Sequence, residues 1–407
     1  SMLQTIVETL GRTFDASCCM LHPVEGNSIV AQSSLYCSTA SVLMSGDRDR
    51  QDPMVQAMLH THKTQVSQLG KDADMRLILP LAYQQELLAI LSFYRGGDQQ
   101  TGADSSRNPW SEEDIQLLEG VAEQAALAIS QAKLYQCTQI QAKQIRAELA
   151  VARQIQSNLL RQSLPKLDTV KVQACCHPAR EVGGDFFEVY QHPQGDVWLA
   201  VGDVSGKGVP AALFMASAIS VLRRELSQET PPEPNVVMQN LNSILSQDLV
   251  STNCFITMIL ARYSPTTKQL VYANAGHIYP LVWAKQIGST PAEQAAVEPI
   301  YLKVRGVPLG ILPDWNAIAG DLTLHSGEVL LLTSDGITEA TIPSQDLTGQ
   351  TPTSNPGEAN SMLKQSGLWQ LLLQERECLD LNHLLAKIQS HNAVQEDDQT
   401  ILSLEVF

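Results

Sequence analysis

Residues 133–164 carry neither glycine nor proline. The two residues that most often end helices are missing from a run longer than the ~8–20 residues of a typical globular helix. Within it Ile145, Leu149, Ala152, Ile155 and Leu159 recur at intervals of three and four, the seam of a short coiled coil. Pro165 stops the pattern. A helical linker over 136–165 therefore divides the chain into an N-terminal part, 1–135, and a C-terminal part, 166–407. One amphipathic helix packed on its own domain would show the same spacing. Its place at a domain boundary favours a signalling helix that dimerises and couples the two parts.

The length of 407 residues fits two or three domains. A chain that is 44% hydrophobic and 17% charged has the composition of a soluble globular protein. No apolar run approaches the roughly 20 residues that span a bilayer. The start shows no basic segment followed by an apolar stretch and a cleavage site, so we expect no signal peptide and a cytoplasmic protein without a membrane partner. Ser1-Met2 reads as an expression remnant, and an upstream domain stays open. A net charge of −16 repels phosphate backbones, so nucleic acid is not an expected partner. Eight cysteines include the adjacent pairs Cys18-Cys19 and Cys175-Cys176. None has C-x-x-C spacing, which points to buried thiols in a reducing compartment, with redox sensing by the adjacent pairs as the alternative.

Residues 1–135 read as a compact α/β unit. Leu3, Ile6, Leu10 and Phe14 have helical spacing. Strand-like segments follow at 17–21, 28–32, 75–82 and 86–94, the last two forming a hairpin around Tyr83-Gln84-Gln85-Glu86. Ser111 before Glu112-Glu113-Asp114 is a helix start, with acids at the positive helix end. Beyond Pro165 the spacing predicts strands at 170–175, 197–201, 255–263, 270–273, 329–333 and 401–406. Helices are expected at 210–226, 234–248 and around 368–377. Segments 285–299 and 343–365 read as loops.

Chemistry concentrates in the C-terminal part. Asp185 follows Gly183-Gly184. Asp203 follows an apolar strand and leads into Val204-Ser205-Gly206-Lys207-Gly208. Asp335 precedes Gly336 after another apolar run, and Asp397-Asp398 precede the final strand. A carboxylate at a strand end beside glycine can project into a cleft while the backbone approaches an ion closely. Mg²⁺ and Mn²⁺ take oxygen ligands. Two such ions ~3.5–4 Å apart share a water and align it for in-line attack on phosphorus. Singly, each Asp-Gly is a turn signal. The case rests on the set.

The ordered segments Val182-Gly183-Gly184-Asp185-Phe186-Phe187, Gly202-Asp203-Val204-Ser205-Gly206-Lys207-Gly208, Asn274-Ala275-Gly276-His277, Val307-Pro308-Leu309-Gly310, Ser334-Asp335-Gly336-Ile337-Thr338-Glu339 and Asp397-Asp398-Gln399-Thr400 resemble the SpoIIE/RsbU-type branch of the PPM (PP2C-like) phosphatases. Ala152-Arg153-Gln154-Ile155-Gln156 resembles the helix leading into that domain. The resemblance implies an α+β fold: a C-terminal α-β-β-α sandwich with two divalent ions, Mn²⁺ or Mg²⁺, at one edge. It implies that Asp203 bridges both ions, that the Val204 carbonyl is a ligand, that Asp335 and Asp397 hold one ion and Asp185 the other, and that Asp398 supports them from behind. Arg180 would stand where relatives bind the substrate phosphate. The implied activity is a protein serine/threonine phosphatase in which a metal-bridging water attacks phosphoserine or phosphothreonine. Its substrate would be a small phosphorylated regulatory protein such as an anti-sigma-factor antagonist.

Trp110-Ser111-Glu112-Glu113-Asp114-Ile115 and Ala122-Glu123-Gln124-Ala125-Ala126 resemble the end of a GAF domain, implying an N-terminal sensory α/β domain and a homodimer through it and the linker helix. Cys18, Cys19 and Cys37 lack a following His, so no bilin is expected. His277 reads as part of a structural turn rather than a general acid. Lys207 lacks the spacing of a nucleotide phosphate loop. No cysteine is followed by an arginine as in a thiol phosphatase, and no Gly-x-Ser-x-Gly elbow is present. The rival readings are a catalytically silent phosphatase-fold scaffold and a GAF ligand receptor that signals by binding.

Overall fold

A computed structural model describes residues 2–38, 46–68, 75–95, 110–160, 164–285, 298–343, 360–375, 379–390 and 395–407. The chain divides into two compact units, 1–145 and 146–407. The division falls inside one helix, α4 (Glu112–Leu160).

The first unit contains α1 (Met2–Thr13), β1 (Cys18–Glu25), β2 (Ser28–Ile29), β3 (Ser34–Cys37), α2 (Gly46–Arg50), α3 (Pro53–Thr61), β4 (Gln65–Gln68), β5 (Met75–Tyr83), β6 (Glu86–Arg95) and the start of α4. Its antiparallel sheet runs β2-β1-β6-β5-β4, with β3 also paired to β1. One face is covered by Val7 and Leu10 of α1, by Phe14 just beyond it and by Leu118, Ala122 and Ala126 of α4, packed on Leu21, Leu79, Leu91 and Phe93. Val55 and Met58 of α3 cover the other face against Ile78 and Ile90. The β5–β6 hairpin turns through Gln84 and Gln85, both at positive φ (47° and 71°). Two successive left-handed residues make the turn whose twist suits a two-residue hairpin. At the start of α4 the Asp114 N–H donates to Ser111 Oγ at 3.0 Å, and the Ser111 N–H donates back to Asp114 Oδ2 at 3.3 Å. That reciprocal box satisfies two helix-end groups.

The second unit contains β7 (Val170–His177), β8 (Phe186–Gln191), β9 (Val197–Val204), α5 (Val209–Leu226), α6 (Pro234–Ser251), β10 (Ile256–Ser264), β11 (Gln269–Ala275), β12 (Leu281–Ala284), β13 (Ile300–Tyr301), β14 (Gly320–Thr323), β15 (Glu328–Thr333), α7 (Asp335–Thr338), β16 (Thr341–Pro343), β17 (Asn360–Met362), α8 (Lys364–Gln374), α9 (Leu381–Ser390) and β18 (Gln399–Val406). Two antiparallel five-stranded sheets, β14-β11-β10-β9-β8 and β13-β12-β15-β18-β7, face each other. Their shared core holds Val189, Leu199, Val201, Leu330, Leu332 and Leu402. On the outer side of the first sheet, Trp198 and Ala200 of β9 meet Met215, Ile219 and Leu241 of α5 and α6. On the outer side of the second, Val329, Leu331 and Ile401 meet Leu368, Leu372, Leu384 and Ile388 of α8 and α9. The layers are α-β-β-α. Both faces of β9 are buried, which is why it reads as a continuous apolar run rather than an alternation.

Several elements differ from the expected ones. β1 continues to Glu25, with His22 and Val24 still buried on one face past Leu21. β8, β12 and α9 were not expected; β8 follows directly on the Gly-Gly-Asp loop, and α9 is a short amphipathic helix in a polar stretch. Helix α8 starts earlier, at Lys364. Of the two expected loops, 286–297 and 344–359 lie outside the described residues, while 360–362 form β17. Among the described residues no helix is long and apolar enough to cross a membrane.

Candidate metal centre and active site

The sandwich brings strand ends of both sheets to one edge. Asp203 is the penultimate residue of β9 in the first sheet. In the second sheet β15 and β18 are antiparallel neighbours, with Thr333 opposite Ile401. The end of one strand therefore lies beside the start of the other, placing Asp335, the first residue of α7, next to Asp397 and Asp398. This junction is tightly built. The Ser334 N–H donates to the Thr400 carbonyl at 2.9 Å, and the Thr400 N–H donates to Ser334 Oγ at 2.9 Å. A Cβ on Gly336 would stand 1.9 Å from the Asp398 carbonyl oxygen, so only glycine fits.

Asp185 enters from the loop before β8. Two contacts lock that loop to the rest of the edge. The Asp398 carboxylate accepts the N–H groups of Ala179 at 2.8 Å, Gly184 at 2.7 Å and Asp185 at 3.4 Å. The Val204 N–H donates to the Gly184 carbonyl at 3.4 Å. A Cβ on Gly184 would meet the Val204 carbonyl oxygen at 2.6 Å. The glycine pair thus lets Asp185 sit directly against the Asp203-Val204 strand end.

The carboxylates act on one another. Burial, and then the charge of Asp335, push the Asp203 carboxyl up to about 7, with Asp397 and Asp398 adding to the effect and a hydrogen bond from Asp185 opposing it. Burial and then Asp203 push Asp185 well above the usual carboxylate range. Burial and then Asp397 raise Asp335. Lys207 offsets part of this charge, with Nζ 3.0 Å from Asp397 Oδ2 and donating to the Glu396 carbonyl at 2.7 Å. Asp185 Oδ2 is buried without a hydrogen-bond partner, an arrangement that costs free energy until a cation or donor meets it. Among the described residues no three acidic, His or Cys side chains already stand together as a closed metal-binding group. The donor set, all carboxylate oxygens with the Val204 carbonyl among them, is of the hard type that Mg²⁺ and Mn²⁺ take.

Arg180 is exposed, with no hydrogen bond or ion pair among the described residues. His277 is buried, and its Nδ1 lies 2.9 Å from Thr257 Oγ1. Its backbone closes a ring with Asn274: the His277 N–H donates to Asn274 Oδ1 at 2.7 Å, and Asn274 Nδ2 donates to the His277 carbonyl at 3.0 Å. Burial lowers the His277 pKa to about 4, so the ring is neutral at pH 7. These contacts are those of a turn. Two participants were not singled out from sequence. Gln156 holds the Gly183 backbone, and Lys207, considered there only as a nucleotide ligand, pairs with Asp397. The sequence signal for Gln156 was its place in Ala152-Arg153-Gln154-Ile155-Gln156.

Comparison with known proteins supplies the relationship. Residues 193–407 match the family model "Stage II sporulation protein E (SpoIIE)", and residues 1–129 match the GAF domain model. The SpoIIE match takes in Asp203, Asp335, Asp397 and Asp398 and starts after Asp185. The phosphoserine phosphatase RsbU of Bacillus subtilis (strain 168) is 33% identical over 197 residues, 48% of this chain and 55% of that protein. Protein IcfG of Synechocystis sp. is 32% identical over 232 residues, 50% of this chain and 34% of that protein. The chain thus spans about half of one relative and a third of the other. The SiaA-PP2C domain of Pseudomonas aeruginosa superposes with a TM-score of 0.52 at 19% identity, covering 65% of this chain and 98% of that domain, and shows the same fold. With its second unit folded as an α-β-β-α sandwich and its first matching a GAF domain, this chain belongs to the SpoIIE family of PP2C-like phosphatase domains.

Proposed function

We propose that the chain is a metal-dependent protein serine/threonine phosphatase. The observation that carries this reading is the convergence of Asp185, Asp203, Asp335 and Asp397 from two sheets on one edge, with a buried, unpartnered oxygen on Asp185. Asp203 would serve both of two Mn²⁺ or Mg²⁺ ions, Asp335 and Asp397 would hold one of them and Asp185 the other, with the Val204 carbonyl as a further ligand. Bound there, such ions supply Lewis-acid polarisation of the phosphoryl group and a water made acidic enough to attack at neutral pH.

The chain's own groups prepare that chemistry. Asp398 fixes the loop that carries Asp185. Lys207 balances Asp397. Arg180, exposed and unpaired at the entrance to the same loop, would take the substrate phosphate through its guanidinium. In the hydrolysis a water oxygen bonds to phosphorus, the bond from phosphorus to the serine or threonine oxygen breaks, and that oxygen leaves with a proton.

The relationship to RsbU supports a phosphorylated regulatory protein as substrate, of the kind represented by an anti-sigma-factor antagonist. The domain assignment is a GAF-like sensory domain over 1–135, a helical linker over 136–165 and the phosphatase domain over 166–407. The sensory domain would set activity within a homodimer formed through it and the linker. Ile145 and Ile155, at the seam positions of α4, are 57% and 59% exposed, as a helix awaiting a partner requires. The test is p-nitrophenyl phosphate hydrolysis with added Mn²⁺ by the full chain and by Asp203→Asn. Activity abolished by EDTA and by the substitution supports the reading. A full chain and an isolated 146–407 fragment that are both inactive with Mn²⁺ would favour the silent scaffold.

A further inference from the structure

Gln156 lies in the last turns of α4 and is 7% exposed. Its amide grips both backbone groups of one residue. Nε2 donates to the Gly183 carbonyl at 2.7 Å, and the Gly183 N–H donates to Oε1 at 3.2 Å. The opposite side of Gly183 is closed by Asp398, whose Oδ2 would be 2.0 Å from a Cβ there. The loop is therefore held between one helix side chain and one carboxylate, and Asp185 is the second residue beyond the clamped glycine. The Ser334 and Thr400 hydroxyls stand against the Asp185 carboxyl, while its Oδ2 is buried and unpartnered. The loop backbone sets where that carboxyl enters the site.

We propose that Gln156 is a positioning residue for the metal centre: its amide sets the loop that aims Asp185, so the end of α4 determines divalent-cation affinity. This rests on the metal-dependent phosphatase reading above. The residue type fits the task, since a carboxamide offers a donor and an acceptor side by side to the two groups of one glycine. A glutamate would leave the Gly183 carbonyl facing an oxygen and would add negative charge behind Asp185. A leucine would leave both groups unpaired. The helix end has a separate anchor, because Arg223 donates to the Leu159 carbonyl at 2.8 Å while pairing with Glu188 at 3.0 Å. Removing the amide therefore does not detach α4.

The experiment compares full-length wild type, Gln156→Leu, Gln156→Glu and the control Gln154→Leu, whose side chain is exposed and donates to Asn158 on its own helix. Mn²⁺ binding is measured by calorimetry, and p-nitrophenyl phosphate hydrolysis is followed as a function of Mn²⁺. Both Gln156 variants should bind Mn²⁺ about tenfold or more weakly, as loss of a group that orients a metal ligand does. Their kcat at saturating Mn²⁺ should stay within roughly threefold of wild type, and the control should be unchanged. A purely structural role would lower kcat at saturation without moving the Mn²⁺ dependence. Wild-type Mn²⁺ affinity in both Gln156 variants would overturn the proposal. A wild type that neither binds Mn²⁺ nor hydrolyses the substrate would overturn the phosphatase reading itself.

An independent observation lies in the first unit. Cys18 of β1 and Cys37 of β3 are directly opposite each other, with their sulfurs 2.9 Å apart. The neighbouring Ser38 N–H donates to the Ser17 carbonyl at 3.0 Å, which makes the cysteines a non-hydrogen-bonded pair. At such a pair the Cα atoms are ~4.5 Å apart, inside the range a disulfide spans. Cys19 packs into the core on the opposite face, so it is not Cys18's partner. We infer that Cys18 and Cys37 form a reversible disulfide on exposure to hydrogen peroxide. The half-buried Cys37 sulfur takes one peroxide oxygen to become a sulfenic acid as water leaves. The Cys18 sulfur then displaces that oxygen as a second water, and the peroxide receives both electrons. Peptide mass spectrometry of the full chain after hydrogen peroxide should show a Cys18–Cys37 cross-link, lost with dithiothreitol and absent in Cys37→Ser. Both thiols remaining open to alkylation after denaturation, or Cys37 joined to another cysteine, would overturn it.

Discussion

The Asp398 carboxylate accepts the backbone N–H of Gly184 at 2.7 Å across 214 residues of sequence. One side chain from the last turn before the final strand thus holds the loop that opens the phosphatase sandwich. It does so in a buried setting, 8% exposed. Asp398→Ala should leave the N–H groups of Ala179 and Gly184 unpaired at about 1–3 kcal/mol each when buried. We expect a lower denaturation midpoint together with weaker Mn²⁺ binding, read by chemical denaturation with and without the metal.

Gly336 has no room for any side chain, because the obstructing atom is the backbone oxygen of Asp398 rather than a flexible tip. Gly336→Ala should separate α7 from the start of β18 and move Asp335 away from Asp397. The expected outcome is loss of at least about 3 kcal/mol of stability, in the range of the severest single substitutions, and loss of Mn²⁺-dependent hydrolysis. Gly195→Ala is the control for a glycine with open surroundings, although its own positive φ of 105° adds local strain.

His277 makes stability depend on pH. Its folded pKa of about 4 lies below the ordinary 6.5, chiefly because of burial. Between those values the unfolded chain binds the extra proton and the folded chain does not. Its contribution is therefore present above about 6.5 and is lost as pH falls towards 4. A shift of that size corresponds to at most roughly 3 kcal/mol. Urea denaturation at pH 7 and pH 5 should show a drop in stability that is smaller in His277→Gln. An identical drop in the two proteins would remove His277 as its source.

Asp203 is the carboxylate on which the others act, so it is the position where charge removal should matter most. Asp203→Asn should cut kcat with Mn²⁺ by at least about 100-fold, the scale for losing a group that stabilises transition-state charge. The metal-free fold should survive, because the substitution relieves repulsion among buried carboxylates. Circular dichroism and steady-state kinetics on the same sample separate the two effects.

The seam of α4 can be tested without touching either core. Ile145→Lys with Ile155→Lys places charges at two exposed positions. Light scattering should show a dimer for the wild type and a monomer for the double variant. A wild-type monomer at micromolar concentration would end the linker-dimer reading.

Much of this organisation was legible from the chain alone. The breaker-free run over 133–164 announced α4 and the two-part division, because helix termination depends on local residue types. The apolar runs before Asp203 and Asp335 marked β9 and β15, since strands covered on both faces need continuous hydrophobicity. The aspartates stood out for the same local reason: each is a carboxylate beside glycine or at the end of an apolar run. Strand β8 and helix α9 were not legible. Their burial comes from layers contributed by distant segments, which no local window contains.

What only the tertiary structure decided is how these groups meet. Sequence spacing could not pair Cys18 with Cys37 rather than with Cys19, because strand geometry turns adjacent residues to opposite faces. It could not show that Gln156 and Asp398 close on the same loop from helix and strand, as hydrogen-bond partners 27 and 214 residues apart are chosen by packing. The sequence by itself determined which residues are available for metal-binding chemistry, since charge and chain flexibility are local properties. The fold decided which of them face one another, because convergence is set by how two sheets stack.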